Sequence, residues 1–333
     1  MLIEVSESSQ TGDARRKVMA WAEDSQMDAI SCGALAVATT EMATNLVKHA
    51  GRGHILVQRL QQNSDCGLRI TSVDKGPGIP DIARALSDGH STAGSMGTGL
   101  GAIRRLSKKF DVYSVPGAGT VISAEFWNGK SAPLHHPPLE VAVVSEPIAG
   151  EDACGDGWGL KKTSEGMCLM VVDGLGHGIL AAEAAREAER ILSATHQQKP
   201  AEILHEVHAA LRATRGAAFG LSCIDLQRGV LSFAGVGNVT ASIVAPGLSR
   251  TLASHNGILG QNIERVQEFS VPWNDNSILV MYSDGLMSRW DLSAYPGIWT
   301  KPASLIAAVL HRDFYRGRDD VTVLVAKAAE RFA

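Results

Sequence analysis

Paired cysteines, long apolar runs and a surplus of positive charge are all missing from this 333-residue sequence. Its five cysteines, Cys32, Cys66, Cys154, Cys168 and Cys223, are scattered and include no CxxC pair. That spacing argues against a zinc site and predicts reduced thiols, mostly core filler, in a cytoplasmic protein. No apolar run approaches the roughly 20 residues of a membrane span. The opening MLIEVSESSQTGDARR has no apolar stretch behind a basic start, so no secretory signal is expected. A net charge of −4 argues against non-specific nucleic-acid binding, which needs a concentrated positive footprint. No repeat or low-complexity tract appears.

What is present suits a globular protein with two cores. Residues 128–139, NGKSAPLHHPPL, hold three prolines and support no periodic pattern. They predict a linker at 129–139 between domains at 1–128 and 140–333. His135 and His136 read as a solvated pair within it, metal ligation being the alternative. The first half reads as mixed α+β. Helices are expected at 13–30 and 33–50, the second burying Leu35, Ala38, Met42 and Leu46 on one face. HILVQRL, GLRITSVD and GTVISAEFW read as strands. The second half alternates apolar strands (VAVVSE, MCLMVVD, FGLSCIDL, VLSFAGVG, ASIVAP, SILVMYSD, VTVLVAK) with helices at 179–195 and 201–214, suggesting stacked sheets flanked by helices.

Three features of the first half belong together. Glu41 and Asn45 are four apart, hence on one helix face, where a carboxylate and an amide can serve as general base and Mg2+ ligand. Such a pair is also common on solvated surface. In VDKGPGIPD, Asp74 ends an apolar strand and is followed by Gly76 and Gly78. A carboxylate there can accept the amine of adenine while bare backbone admits the flat base; an ordinary Pro/Gly turn is the simpler alternative. Finally, STAGSMGTGLGAIRRL places Gly94, Gly97, Gly99 and Gly101 ahead of a helix carrying Leu100, Ile103 and Leu106. Amides at a helix start favour phosphate. Neither a P-loop nor a dinucleotide fingerprint matches, since no Gly-Lys-Ser/Thr follows and no βαβ unit surrounds it. The basic run Arg104, Arg105, Lys108 and Lys109 reads as a solvated face, phosphate or partner contact being the alternative.

In this order, and with GAGT at 117–120 closing the series, the motifs resemble the GHKL family of ATP-binding domains, and within it the bacterial anti-sigma-factor serine/threonine kinases. The resemblance spans about residues 10–127 and implies a Bergerat-type α/β sandwich that binds ATP and Mg2+. It implies that Asn45 holds Mg2+, Glu41 activates the attacking hydroxyl and Asp74 reads adenine, with Gly76 and Gly78 beneath the base and Thr120 in support. Gly97, Gly99 and Gly101 would wrap the phosphates. The short segment ahead of residue 33 leaves little room for a dimerisation helix with a phosphoacceptor histidine, which favours phosphorylation of a separate protein.

Downstream, AGEDACGD, VVDGLGHG, MYSDGLMS and RGRDDVTVLV place acidic turns far apart in sequence, three of them beside apolar strands. Gathered carboxylates repel unless a cation lies among them, and hard oxygen donors suit Mg2+ or Mn2+. The set resembles the SpoIIE-like branch of the metal-dependent PPM-type Ser/Thr protein phosphatases over about 140–328, which implies an α-β-β-α sandwich and a two-metal centre. Asp173 would bridge two Mn2+ or Mg2+ ions, the Gly174 carbonyl would ligate one, and Asp152, Asp284 and Asp319 would complete the shells, activating water without a protein nucleophile. Asp156 is left open as a ligand, and Asp320 competes with Asp319. His177 reads as a packing residue or a support to the ligands.

The combined expectation is a bifunctional partner-switching regulator, a kinase fused to the opposing phosphatase. It would act on a STAS-domain antagonist in control of an alternative sigma factor or stress response. A homodimer is compatible with it; nucleic acid and membrane are not expected partners. The rival makes the first half a non-catalytic nucleotide- or partner-binding switch that regulates the phosphatase.

Overall fold

The computed structural model describes residues 1–62, 65–87, 99–129, 138–263 and 266–329. Two compact units result: residues 1–136 with 294–312, and residues 137–293 with 313–333. Much of the linker expected at 129–139, including His135 and His136, lies outside the described residues, as do Gly94 and Gly97.

The first unit runs β1 (Leu2–Val5), α1 (Ser8–Asp24), α2 (Ala29–Asn45), β2 (Gly53–Gln62), β3 (Asp65–Asp74), α3 (Ile82–Leu86), α4 (Gly99–Leu106), β4 (Lys109–Ser114) and β5 (Thr120–Trp127). Its sheet has the order β1-β2-β3-β5-β4 with every pairing antiparallel. The expected α2 face, Leu35, Ala38, Met42 and Leu46, is buried in the core with Ile55, Ile70, Ile122 and Phe126 from the sheet. The helix boundaries differ from the expected 13–30 and 33–50. The chain leaves α1 at Asp24 because Asp28 caps α2: its Oδ1 accepts from the Ile30 and Ser31 amides, and its Oδ2 from the Gly129 amide. The Ser31 amide, the Gly129 amide, the Ser31 hydroxyl and the Ile30 amide, in that order, hold the Asp28 carboxyl down at about 2 against its burial. Beyond Asn45 the helix continues as a π-turn over Leu46–Ala50. Together they make a 22-residue apolar helix with the length and hydropathy of a membrane span, which the run length alone did not suggest. Its apolar side is the buried core face just described.

The second unit contains β6 (Leu139–Glu146), β7 (Asp156–Lys162), β8 (Gly166–Gly174), α5 (Ile179–Ala194), α6 (Pro200–Ala210), β9 (Ala217–Asp225), β10 (Val230–Val236), β11 (Thr240–Ala245), β12 (Leu248–Leu252), β13 (Phe269–Pro272) and β14 (Ile278–Tyr282). The chain then forms α7 (Ala303–Phe314), most of which belongs to the first unit, and closes with β15 (Val321–Ala328). Two antiparallel sheets result, β13-β10-β9-β8-β7 and β12-β11-β14-β15-β6. Strand β8 shows how the layers form. Met167, Leu169 and Val171 enter a core shared with Leu279, Met281 and Leu324 of the other sheet. Cys168, Met170 and Val172 enter a second core with Ala184, Ala188, Leu204 and Val207 of α5 and α6. Alternation along one strand thus buries both faces, one against a sheet and one against helices.

The cysteine expectation needs correcting. Cys168 and Cys223 lie directly opposite each other on β8 and β9 and form a disulfide, while Cys32, Cys66 and Cys154 are free. The two are 55 residues apart, so only the strand register brings them together.

Candidate functional sites

In the first unit, Asp74 ends β3 where two glycine turns meet. Its Oδ1 accepts from the Gly76 amide at 2.8 Å and the Thr120 amide at 3.2 Å. Among the described residues its Oδ2 accepts no hydrogen bond, leaving one oxygen available for a ligand's donor. Burial raises the Asp74 pKa, against the pull of those two amides. The turns are built for close approach. Gly78 has φ +73, and a Cβ there would lie 2.3 Å from the Val115 carbonyl oxygen. Gly119 has φ +86, and its Cβ would lie 2.1 Å from the Asp74 carbonyl oxygen. The Gly117 amide donates to the Pro77 carbonyl, tying the turns together. Ser114, which sequence reasoning passed over, donates or accepts at Thr120 Oγ1 over 2.8 Å and accepts from the Ile79 amide.

Glu41 and Asn45 share the α2 face that meets the start of α4. A Cβ on Gly99 would lie 2.9 Å from Glu41 Oε2 and 3.8 Å from the Asn45 amide. Gly99 therefore brings helix-start amides beside the two polar side chains, which is the arrangement an anion and its metal require. Gly101, two residues further along α4, is buried. Gly97 lies outside the described residues. The segment 294–312 belongs to this unit although it lies late in the sequence. Arg312 Nη1 donates to the Asp74 carbonyl at 3.4 Å, and Lys301 pairs with Asp111 at 2.8 Å.

In the second unit, carboxylates from four separate segments gather at strand ends. Asp156 of β7 and Asp173 of β8 are direct cross-strand partners. Burial raises the Asp156 pKa well above the carboxylate range, and the charge of Asp173 adds to the effect. Asp173 is raised to about 7, first by burial and then by Asp284 and Asp319. Burial also raises Asp319, with further upward contributions from Asp284 and Asp320. Gly174 must be bare because α5 approaches it: a Cβ would lie 2.2 Å from the Ala181 carbonyl oxygen.

The structure separates neighbours that the sequence leaves equivalent. Asp320 is buried, with its oxygens occupied by the Ile148 and Gly155 amides at 2.8 and 2.9 Å. Asp319 is exposed and retains capacity for a ligand. In the first turn the carboxylate facing Asp173 is Asp156, whereas Asp152 is exposed and is not among the groups that raise Asp173. The structure thus does not bring Asp152 together with the other expected ligands. Asp156→Ala should lower Mn2+ affinity at least tenfold by titration calorimetry, and Asp152→Ala should change it less than twofold; the reverse ranking would restore Asp152.

Other members were invisible to motif reading. Ser283 donates to Asp156 Oδ2 at 2.6 Å and accepts from the Thr322 amide. Asn238, just past β10, donates to Asp284 Oδ2 at 2.6 Å. A serine before an aspartate and an asparagine after a glycine are too common for either to stand out in a sequence. His177 pairs instead with Glu151, Nδ1 to Oε1 at 2.6 Å on the surface. Among the described residues no group of three His, Cys, Asp or Glu side chains is close enough, as placed here, to hold a metal ion. The donor set nonetheless fits one. Carboxylates gathered where burial disfavours their charge are hard oxygen ligands, and a divalent cation would neutralise them.

Comparison with known proteins supports a fusion of two families. Residues 5–126 match the histidine kinase-like ATPase domain, and residues 163–329 match the stage II sporulation protein E family. The chain is 41% identical over 93 residues to the serine/threonine-protein kinase RsbT of Bacillus subtilis, spanning 28% of this chain and 70% of RsbT. It is 24% identical over 149 residues to the phosphoserine phosphatase RsbX of the same organism, spanning 44% of this chain and 75% of RsbX. Among solved structures, a chain described in work on the bacterial stressosome as a system adapted to control secondary messenger signaling superposes with TM-score 0.53 and 30% identity, over 57% of this chain and 99% of its own. RsbX in complex with magnesium superposes with TM-score 0.52 and 20% identity, over 59% and 98%, which supports the fold alone. With a motif-bearing ATPase fold upstream and paired sheets carrying strand-end aspartates downstream, the chain belongs to the histidine kinase-like ATPase family through its first part and to the SpoIIE family of PPM-type phosphatases through its second.

Proposed function

We infer that this protein is a bifunctional regulator in a partner-switching system, an ATP-dependent serine/threonine kinase joined to a metal-dependent phosphoserine/phosphothreonine phosphatase. The observation that carries the reading is the convergence of Asp156, Asp173, Asp284 and Asp319 from distant segments upon one mutually repelling acidic centre. Asp156, Asp173, Asp284, Asp319 and the Gly174 carbonyl would hold Mn2+ or Mg2+. Divalent ions bound there supply an acidified water and charge neutralisation at phosphoryl oxygens. Asn238 and Ser283 fix the orientation of Asp284 and Asp156. Upstream, Asp74 would accept the adenine amine, Asn45 would ligate Mg2+, Gly97, Gly99 and Gly101 would line the phosphates, and Glu41 would take the proton of the attacking hydroxyl.

The substrate we assign is a STAS-domain antagonist, phosphorylated by one part and dephosphorylated by the other, with an alternative sigma factor or stress response as the output. The setting is the bacterial cytoplasm, where the Cys168–Cys223 disulfide is an uncommon feature. Incubating the full chain with a STAS-domain protein, ATP and Mn2+ tests both parts. Phosphate should enter the partner and then leave it; a partner that gains no phosphate and a phosphorylated partner that loses none would reject both assignments.

One observation favours a second reading, in which the first part is a nucleotide-responsive switch rather than a kinase. Segment 294–312 lies in sequence between Asp284 and Asp319 yet packs within the nucleotide unit, where Arg312 touches the Asp74 carbonyl. A ligand at Asp74 could then bias the chain that carries a phosphatase ligand.

A further inference from the structure

Beside the acidic centre lies a cavity of about 570 Å3 whose lining includes Asp284, Asp319, Tyr315 and three arginines, Arg289, Arg316 and Arg318. Two loops build it, and they are zipped together. The Met287 amide donates to the Phe314 carbonyl, the Arg316 amide donates to the Gly285 carbonyl, and Leu286 bridges Tyr315. Gly285 permits this approach, since a Cβ there would lie 2.0 Å from the Asp320 carbonyl oxygen. One loop therefore delivers Asp284 with Arg289, and the other delivers Arg316 and Arg318 with Asp319.

The three guanidiniums are exposed and, among the described residues, form no ion pair. Isolated exposed arginines are ordinary, but three on the rim of one cavity, in a chain of net charge −4, concentrate positive potential at one place. With divalent cations neutralising Asp284 and Asp319, nothing lining this cavity would offset the arginine charge. Guanidinium forks bind carboxylates and phosphates in two-point fashion. We propose that Arg289, Arg316 and Arg318 form a specificity subsite that selects phosphoprotein substrates with acidic residues flanking the phosphorylated serine or threonine. The proposal rests on the phosphatase reading and adds the substrate class.

The test uses the full chain with Mn2+ and three peptides that share one phosphoserine and differ only in glutamate, glutamine or lysine flanks. The wild-type protein should favour the glutamate peptide over the glutamine peptide by about tenfold in kcat/KM, through KM, and lose most of that preference in 0.5 M NaCl. Combined Arg289→Gln, Arg316→Gln and Arg318→Gln substitution should erase the preference by raising KM for the glutamate peptide. Arg316→Glu with Arg318→Glu should reverse it toward the lysine peptide, a gain that misfolding cannot produce. Equal turnover of all peptides by wild type, or a preference that survives the triple substitution, would overturn the subsite. p-Nitrophenyl phosphate separates the two layers of inference. A wild-type protein that fails to hydrolyse it with Mn2+ rejects the phosphatase reading and the subsite with it, whereas hydrolysis without peptide preference rejects the subsite alone.

Discussion

Asp173→Ala should lower Mn2+-dependent phosphate release at least about a thousandfold and at the same time raise the thermal stability of the metal-free protein. The loss follows from removing the carboxylate at the centre of the cluster. The gain follows from the same electrostatics. The Asp173 carboxyl titrates at about 7 in the fold, above its ordinary value of 3.8, because of burial and the charges of Asp284 and Asp319. The folded state therefore holds this proton more tightly than the unfolded chain does. Between the two values the metal-free fold becomes more stable as pH falls, and it loses that stability as pH rises toward about 7. Wild-type melting temperature without metal should thus increase from pH 8 to pH 5. Mn2+ at about 100 times its Kd should raise it by roughly 5–10 °C at pH 8, and by less at pH 5, where protons compete for the same oxygens. Asp173→Ala should flatten both responses. A variant that still releases phosphate at the wild-type rate, or that melts lower than wild type without metal at pH 8, would remove Asp173 from the centre.

Glu41→Ala should slow phosphorylation of a STAS-domain substrate by about 100- to 10,000-fold, the range for losing a positioned general base. ATP affinity should change less than threefold, since Asp74 and the glycine turns remain. The split between the two readouts matters. Gly99 admits only a bare backbone beside Glu41 Oε2, so added volume there would disturb nucleotide binding, whereas truncation at residue 41 removes only the carboxylate. Measuring γ-phosphate transfer and nucleotide binding on the same preparation decides between the two readings of this unit. Unchanged phosphorylation removes Glu41 as the base; ATP binding with no phosphate transfer even by wild type favours the switch. In that case ATP should alter the rate of phosphate release downstream.

The strand ends bearing Asp74, Asp173 and Asp284 were legible because an apolar run that stops at Asp, followed by glycine at the next position or the one after, is a short-range pattern. The buried face of α2 was legible for a similar reason, the spacing of Leu35, Ala38, Met42 and Leu46 being helical. The break between α1 and α2 was not, because Asp28 also takes a hydrogen bond from Gly129, about 100 positions away. Asp152 and Asp156 looked alike in a row of polar and small residues. Cross-strand register singles out Asp156, and two backbone amides of the β6–β7 connection occupy Asp320, while Asp319 stays exposed.

Chain order alone thus conveyed the two families, the nucleotide motifs and the acidic turns, since each is written in residues within a few positions of one another. Pairing across strands and packing between distant segments settled the rest. Cys168 met Cys223, Asn238 reached Asp284, three arginines came to share one cavity, and segment 294–312 joined the unit that begins the chain. The physical reason is common to all four. Each depends on the closing of a loop of tens to hundreds of residues, and no local spacing encodes where such a loop closes.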